Sequence, residues 1–190
     1  MDPASLYSVK AILVLDNDGK RLISKYYDNI TFPSKENQLN FESKLYEKTN
    51  RSDAEILLFE NFTIVFKSNV DLMFFVIGSC DENELILSQV LECLYDCVSD
   101  ILRKNIEKSE LLAEYSTVLL AIDNMIDKGV ILETDCDEVL DTLPGRYSGS
   151  GSSAMNALAS GKNLKNISEM TTGQLFQSAK NLIKSAQGGV

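Results

Sequence analysis

Histidine and tryptophan are both absent from this 190-residue chain. Without histidine there is no Ser-His-Asp or Cys-His nucleophilic system and no histidine-ligated metal site. The four cysteines, Cys80, Cys93, Cys97 and Cys136, follow neither a disulfide-framework nor a zinc-knuckle spacing. They read as small buried hydrophobes of a reducing compartment. No dinucleotide glycine fingerprint or Walker motif is present, and Gly149-Ser150-Gly151 lacks the lysine and the strand–helix setting of a phosphate loop. No apolar run approaches the ~20 residues a membrane-crossing helix needs. The N-terminal MDPASLYSVK has no basic start and no long apolar run, so no secretory signal is expected. An enzyme, a cofactor and a bound metal are therefore not expected, and the default compartment is the cytoplasm.

Positive charge is scarce as well. The chain carries 18 Lys and Arg against 28 Asp and Glu, a net charge of −10. From Arg146 onward the balance reverses to +4, with Arg146, Lys162, Lys165, Lys180 and Lys184 against Glu169 alone, which leaves −14 on the first 145 residues. A body that acidic suits neither nucleic acid nor direct adhesion to anionic lipid; a basic protein surface is its natural partner.

What is present is patterned for a helix-covered antiparallel sheet. Val9–Leu15 is apolar on both alternating faces, as in a central strand covered on both sides. Asp16-Asn17-Asp18-Gly19 is a hairpin turn, and Arg21–Tyr27, interspersed with charge, returns as an edge strand. Gly19 follows Asp18 directly and no glutamate stands at the spacing a calcium loop requires, so the turn is not read as a metal site. Ser34 is placed as the N-cap of a helix running to about Lys48 with a narrow apolar stripe of Leu39, Phe41, Leu45 and Tyr46. Three strands follow at hairpin-short intervals, about Ala54–Phe59, Phe62–Lys67 and Leu72–Gly78. The last is apolar on both faces like the first, so the two belong side by side. The spatial order is then second, first, fifth, fourth, third.

Asp81–Lys108 reads as one long helix, with Leu87, Val90, Leu91, Leu94, Val98, Ile101 and Leu102 along one side. Asp81 and Glu84 form a capping-box pattern, and Arg103, Lys104 and Lys108 suit the far end of the dipole. Ile86, Cys93 and Cys97 widen the apolar stripe, either against the chain's own sheet or toward a partner. Such a helix spans roughly 35–40 Å. A second helix is expected over Glu110–Lys128, with Leu111, Tyr115, Val118, Ile122 and Met125 on its stripe and Gly129 as C-cap. A turn or short helix should follow over Asp135–Leu143. The fold class is α+β.

At Pro144-Gly145 the composition changes to Gly, Ser, Ala and Asn. Residues 1–143 are thus expected to form one domain, 144–172 a flexible linker and 173–187 an amphipathic helix on Leu175, Phe176, Ala179, Leu182 and Ile183. Docking on its own domain, insertion into a partner's groove and membrane contact all remain open for that helix.

Catalytic candidates are few. Asp16/Asp18 and Asp135/Asp137 lie in turns or at helix starts, where local roles are commoner than acid–base chemistry. Cys80, at the end of the fifth strand near a helix N-terminus, is the one conceivable nucleophile, and it lacks an obvious base. A small-molecule sensor or an enzyme using Cys80 is the remote alternative.

SLYSVKAILVLDNDGKRLISKYYD, EILLFENFTIVFKSNVDLMFFVIGSCDENELIL and VLECLYDCVSDILRKNIEK resemble the zeta-subunit family of the COPI coat, coatomer. IDNMIDKGVILETD is similar to the matching segment of clathrin-adaptor sigma subunits. The resemblance covers about Ser5–Leu143, and QSAKNLIK looks like the family's closing helix. It implies a longin-like domain, a five-stranded antiparallel sheet between helices. It further implies a non-enzymatic subunit paired with the coatomer gamma subunit inside the heptameric coatomer. An Arf-type GTPase would recruit that complex to the cytoplasmic face of Golgi membranes for Golgi-to-ER and intra-Golgi vesicle transport. Membrane contact would be indirect, and nucleic acid is no partner. A sigma-type adaptor subunit binding sorting peptides is the alternative within the same fold. No partner-binding residues are assigned. The helix Ser34–Lys48 and the edge strand Arg21–Tyr27 are the candidate partner-facing surfaces, although both are also explained, and more readily, as solvated faces.

Overall fold

Alternation and turn chemistry build the first hairpin. In the computed structural model, which describes residues 8–49 and 55–143, β1 (Val9–Asp16) pairs antiparallel with β2 (Arg21–Tyr26). Asp16 closes the turn with its own carboxylate, accepting the amides of Asp18 at 3.0 Å and Lys20 at 2.8 Å. Between Val14 and Leu15 the register slips, so that Val14 faces Ile23 while Leu15 faces Arg21. This bulge turns Arg21 onto the sheet face shared by Leu15 and Tyr26, which strict alternation would deny it.

Ser34 caps α1 (Lys35–Thr49) as expected, its hydroxyl accepting the Asn37 amide. β3 (Ile56–Phe59), β4 (Phe62–Ser68) and β5 (Leu72–Ser79) then form the meander. The sheet order is β2-β1-β5-β4-β3, in agreement with the order read from the sequence. Glu60 and Asn61 join β3 to β4 with φ of 46° and 66°, the two positive angles that a two-residue hairpin turn requires.

The sheet separates two apolar layers. On one face Leu13, Leu15, Phe66, Phe75 and Ile77 pack with Phe41 and Leu45 of α1 and with Phe32. On the other lies α2 (Glu84–Ile101), which packs on β4 and β5. α2 thus lies over one central strand, β5, and over its neighbour β4 on the side away from β1. Gly78 permits its close approach, because a Cβ there would stand 2.6 Å from the Leu87 side chain. The whole apolar stripe from Leu87 to Leu102 is buried.

The helix is also shorter than its periodicity suggested. Its N-cap is Asn83, whose side chain accepts the Leu85 amide, and not Asp81. It ends at Leu102, because Arg103 and Lys104 take φ of 54° and 68° and turn the chain out of the helix. Eighteen residues make it about 27 Å long. Lys104 pairs with Asp100 instead of extending the helix.

The second helix is divided. α3 (Lys108–Ala113) stops at Glu114, and α4 (Tyr115–Met125) begins immediately after it. Leu111, Val118, Ile122 and Met125 are buried as expected, but Tyr115, at the break, is exposed. Gly129 is not a helix C-cap. With Lys128 it forms the tip of a small hairpin between β6 (Ile126–Asp127) and β7 (Val130–Ile131), at φ of 50° for Lys128 and 89° for Gly129. The Gly129 carbonyl accepts the Val9 amide at 3.1 Å, which fixes this hairpin to the start of β1. α5 (Cys136–Asp141) closes the described chain, its N-cap Asp135 accepting the Asp137 amide. The linker expected over 144–172 and the helix expected over 173–187 lie outside the described residues. No helix among the described residues is long and apolar enough to cross a membrane.

Candidate interaction surface

Chemistry-bearing side chains are the first place to look for a site, and here they serve the fold. Glu42 on α1 is 2% exposed and receives Arg21 Nε at 2.9 and 3.0 Å, Arg21 Nη2 at 2.7 Å and the Tyr26 hydroxyl at 2.8 Å. Burial, and then the Glu42 charge, push the Tyr26 hydroxyl well above the usual tyrosine range. A forked guanidinium and a hydroxyl satisfy the carboxylate that burial would otherwise penalise. The clamp binds β2 to α1.

Asp16 plays the same part on the other face. Lys108 Nζ donates to it at 2.7 Å, and the two turn amides complete its set. Burial raises the Asp16 carboxyl, but Lys108 and the amides outweigh that and hold it below 3.8. Asp18, its sequence neighbour, is a surface residue paired with Lys20. The Asp16/Asp18 pair is therefore a turn device.

The cysteines divide in the same way. Cys93 and Cys97 stack one turn apart with their sulfurs 3.9 Å apart, and Cys97 Sγ lies 3.9 Å from the Cys136 carbonyl. The Cys93 thiol and burial push the Cys97 thiol up, and its full burial keeps it from solvent. Cys93 is buried against this group, so it does not face outward toward a partner. Cys80 is half-buried in the turn between β5 and α2. Among the described residues no cluster of His, Cys, Asp or Glu could hold a metal ion.

What the chemistry leaves over is a surface question, and the two sheet edges answer it differently. The side chains of β2 are committed on both faces, Arg21 to Glu42 of α1 and Lys25 to Asp123 of α4 at 2.8 Å. The outer side of α1 presents one large exposed apolar residue, Leu39. The two surfaces chosen from the sequence thus offer little apolar area. The β3 edge does. Ile56 is 48% and Leu58 68% exposed, and Leu85 on α2 is 73% exposed. Register puts Leu58, Thr63 and Gly78 in one row, with Leu87 over Gly78, so Leu58 lies level with the first turn of α2. Ile56, Val65, Leu91 and Ser88 line a cleft of about 130 Å³ between β3 and α2, bordered by Glu55 and Glu92. Leu85, Ser88 and Glu92 share one helix face by their three- and four-residue spacing, which brings Leu85 to the same border. Ile86, 37% exposed, is set about 100° around α2 from Leu85 by the helical repeat. Sequence reasoning missed this surface because ILLF is apolar throughout and names no outward face.

Comparison with known proteins matches residues 8–147 to the family "Clathrin adaptor complex small chain". The chain is 47% identical to human coatomer subunit zeta-1 over 180 residues, 95% of this chain and 93% of the human one. It is 38% identical to coatomer subunit zeta of Saccharomyces cerevisiae over 148 residues, 73% of this chain and 78% of that protein. The match to the human protein runs beyond Leu143 into the tail, where QSAKNLIK suggests the family's closing helix. A chain in a homology model of the full-length AP-3 complex superposes with a TM-score of 0.55 over 80% of this chain and 96% of that one, at 14% identity, a likeness of fold alone. A helix-flanked sheet of order β2-β1-β5-β4-β3, a family match over most of the chain and zeta relatives from yeast to mammals converge, and the chain belongs to the clathrin adaptor small-chain family, in its coatomer zeta branch.

Proposed function

We propose that the chain is the zeta-type small subunit of a COPI coat, a non-enzymatic module whose work is done by its surface. The single observation that carries this reading is the 47% identity to coatomer zeta-1 over 95% of the chain. Its direct partner is the gamma-type large subunit, within a heptameric coat complex. An Arf-type GTPase recruits that complex to the cytoplasmic face of Golgi membranes for retrograde and intra-Golgi transport. Contact with the bilayer is indirect, in keeping with the −14 carried by the first 145 residues. Small subunits of permanent assemblies commonly bury more than ~2,000 Å² against their partners, so a preformed sheet-and-helix body suits the task.

The use of the reactive groups supports the non-enzymatic reading. Glu42, Asp16 and Cys97 are each consumed in packing contacts, and the chain has no histidine to act as base. A sigma-type adaptor subunit is the second reading within the fold; the relatives named zeta weigh against it. Affinity capture of the tagged full chain from cytosol, with identification of the co-purifying large chains, separates the two. Gamma-type coat chains are expected, and adaptin large chains would replace this reading with the sigma one.

A further inference from the structure

The two edges of the sheet differ in what they leave unpaired. Phe66 donates its amide to the Glu55 carbonyl at 2.9 Å, so Glu55 and Phe66 form a hydrogen-bonded pair. In an antiparallel ladder such pairs alternate with non-bonded ones. With β3 and β4 in the register Ile56↔Val65, Leu57↔Ile64, Leu58↔Thr63, the amide and carbonyl of Leu57 point inward to β4. Those of Ile56 and Leu58 therefore point out of the sheet, and neither residue's amide has a backbone partner among the described residues. The same two residues carry the exposed apolar side chains of this edge. Backbone donors, backbone acceptors and apolar side chains thus coincide at alternate positions, which is what an added strand uses.

Charge supplies the flanking chemistry. Glu55, Glu84 and Glu92 are exposed around the Ile56–Leu85 border, and none of them is in an ion pair among the described residues. Lys67, the nearest cation lining the cleft, lies over the Tyr95 ring at 4.0 Å. An incoming segment with lysine or arginine beside its apolar residues would satisfy these acids.

We propose that the β3 edge of this chain receives one extended strand of the large coat subunit. Its outward-bonding residues pair with Ile56 and Leu58, its alternate apolar side chains pack beside theirs, and a basic residue meets Glu55 or Glu92. The inference rests on the coat-subunit reading above.

Site-resolved amide hydrogen exchange tests it, on the full chain alone and on its complex with the gamma-type large subunit. The Ile56 and Leu58 amides exchange freely in the isolated chain and slow at least about tenfold in the complex, while Leu57, already in the ladder, changes little. Leu58→Pro removes an outward-facing donor together with the exposed leucine side chain, at a position where an edge strand tolerates proline. It is expected to abolish protection at Ile56 and to weaken the complex, and Leu58→Lys serves where the proline variant melts early. Ile30→Lys, an exposed apolar change elsewhere on the surface, leaves the complex intact. Protection already complete in the dilute isolated chain, or appearing only as its own concentration rises, assigns the edge to this chain itself or to a second copy and overturns the inference. A stable complex with Ile56 and Leu58 unprotected also overturns it and leaves the coat reading standing. Failure to form any complex removes both.

Discussion

Lys108 Nζ lies 2.7 Å from Asp16 Oδ2 across 92 residues of chain, joining the first hairpin turn to the first residue of α3. Its pH signature has a defined sign. The Asp16 carboxyl is held below 3.8 in the fold, so its contribution is fully present above that value and is lost as pH falls through the lower folded one. Asp16→Asn is expected to cost about 1–2 kcal/mol near neutral pH. Urea unfolding of both proteins from pH 7 down to pH 3 should show the gap holding above about pH 4 and closing below it.

Arg21 and Glu42 should behave as a buried pair. Glu42→Leu alone leaves a mostly buried guanidinium without its partner and is expected to cost about 3 kcal/mol or more. Arg21→Met with Glu42→Leu removes both charges and should cost less than either single change. A double-mutant cycle by chemical denaturation reads the coupling directly. Additive losses would mean that the clamp contributes little.

The hairpin tip at Lys128-Gly129 predicts changes of opposite sign. Lys128 holds φ of 50°, a strained angle for lysine, so Lys128→Asn is expected to stabilise by about 0.5–1 kcal/mol. Gly129→Ala places a Cβ 2.5 Å from the Val9 carbonyl at φ of 89° and should destabilise by about 2 kcal/mol. Thermal melts of the two variants would move in opposite directions.

On α2, buried and outward positions should separate cleanly. Cys93→Asp buries an unpaired charge and is expected to cost about 3 kcal/mol or more. Leu85→Glu should change stability by less than about 0.5 kcal/mol, because that side chain stands in solvent. Equal stability of the two variants would put Cys93 on an outer face.

How much of this was legible in the sequence follows from the physics of each signal. Two strands apolar on both faces, Val9–Asp16 and Leu72–Ser79, can be covered on both sides only at the centre of the sheet, and short turns then dictate the remaining order. Periodicity identified the buried stripe of α2, but it could not see the ends. Asp81, Arg103 and Lys104 suit a helix terminus by charge, whereas the boundaries are set by the Asn83 side chain and by backbone turning at Arg103 and Lys104. The break at Glu114 leaves no trace in composition, because the helical pattern continues through it. Gly129 could mark either a helix end or a hairpin tip, and only the contact with Val9 decides. The interaction surface was hidden for a related reason. Every residue of Ile56–Phe59 is apolar, and which of them face outward depends on how far α2 extends over the sheet.

The proposed coat function requires this chain to pair with a large coat subunit. Co-expression of the full chain with a gamma-type large subunit, followed by size-exclusion chromatography with mass determination, tests it most directly. One chain of each in a single stable species is the predicted result. Separate elution of two independently folded proteins would contradict it.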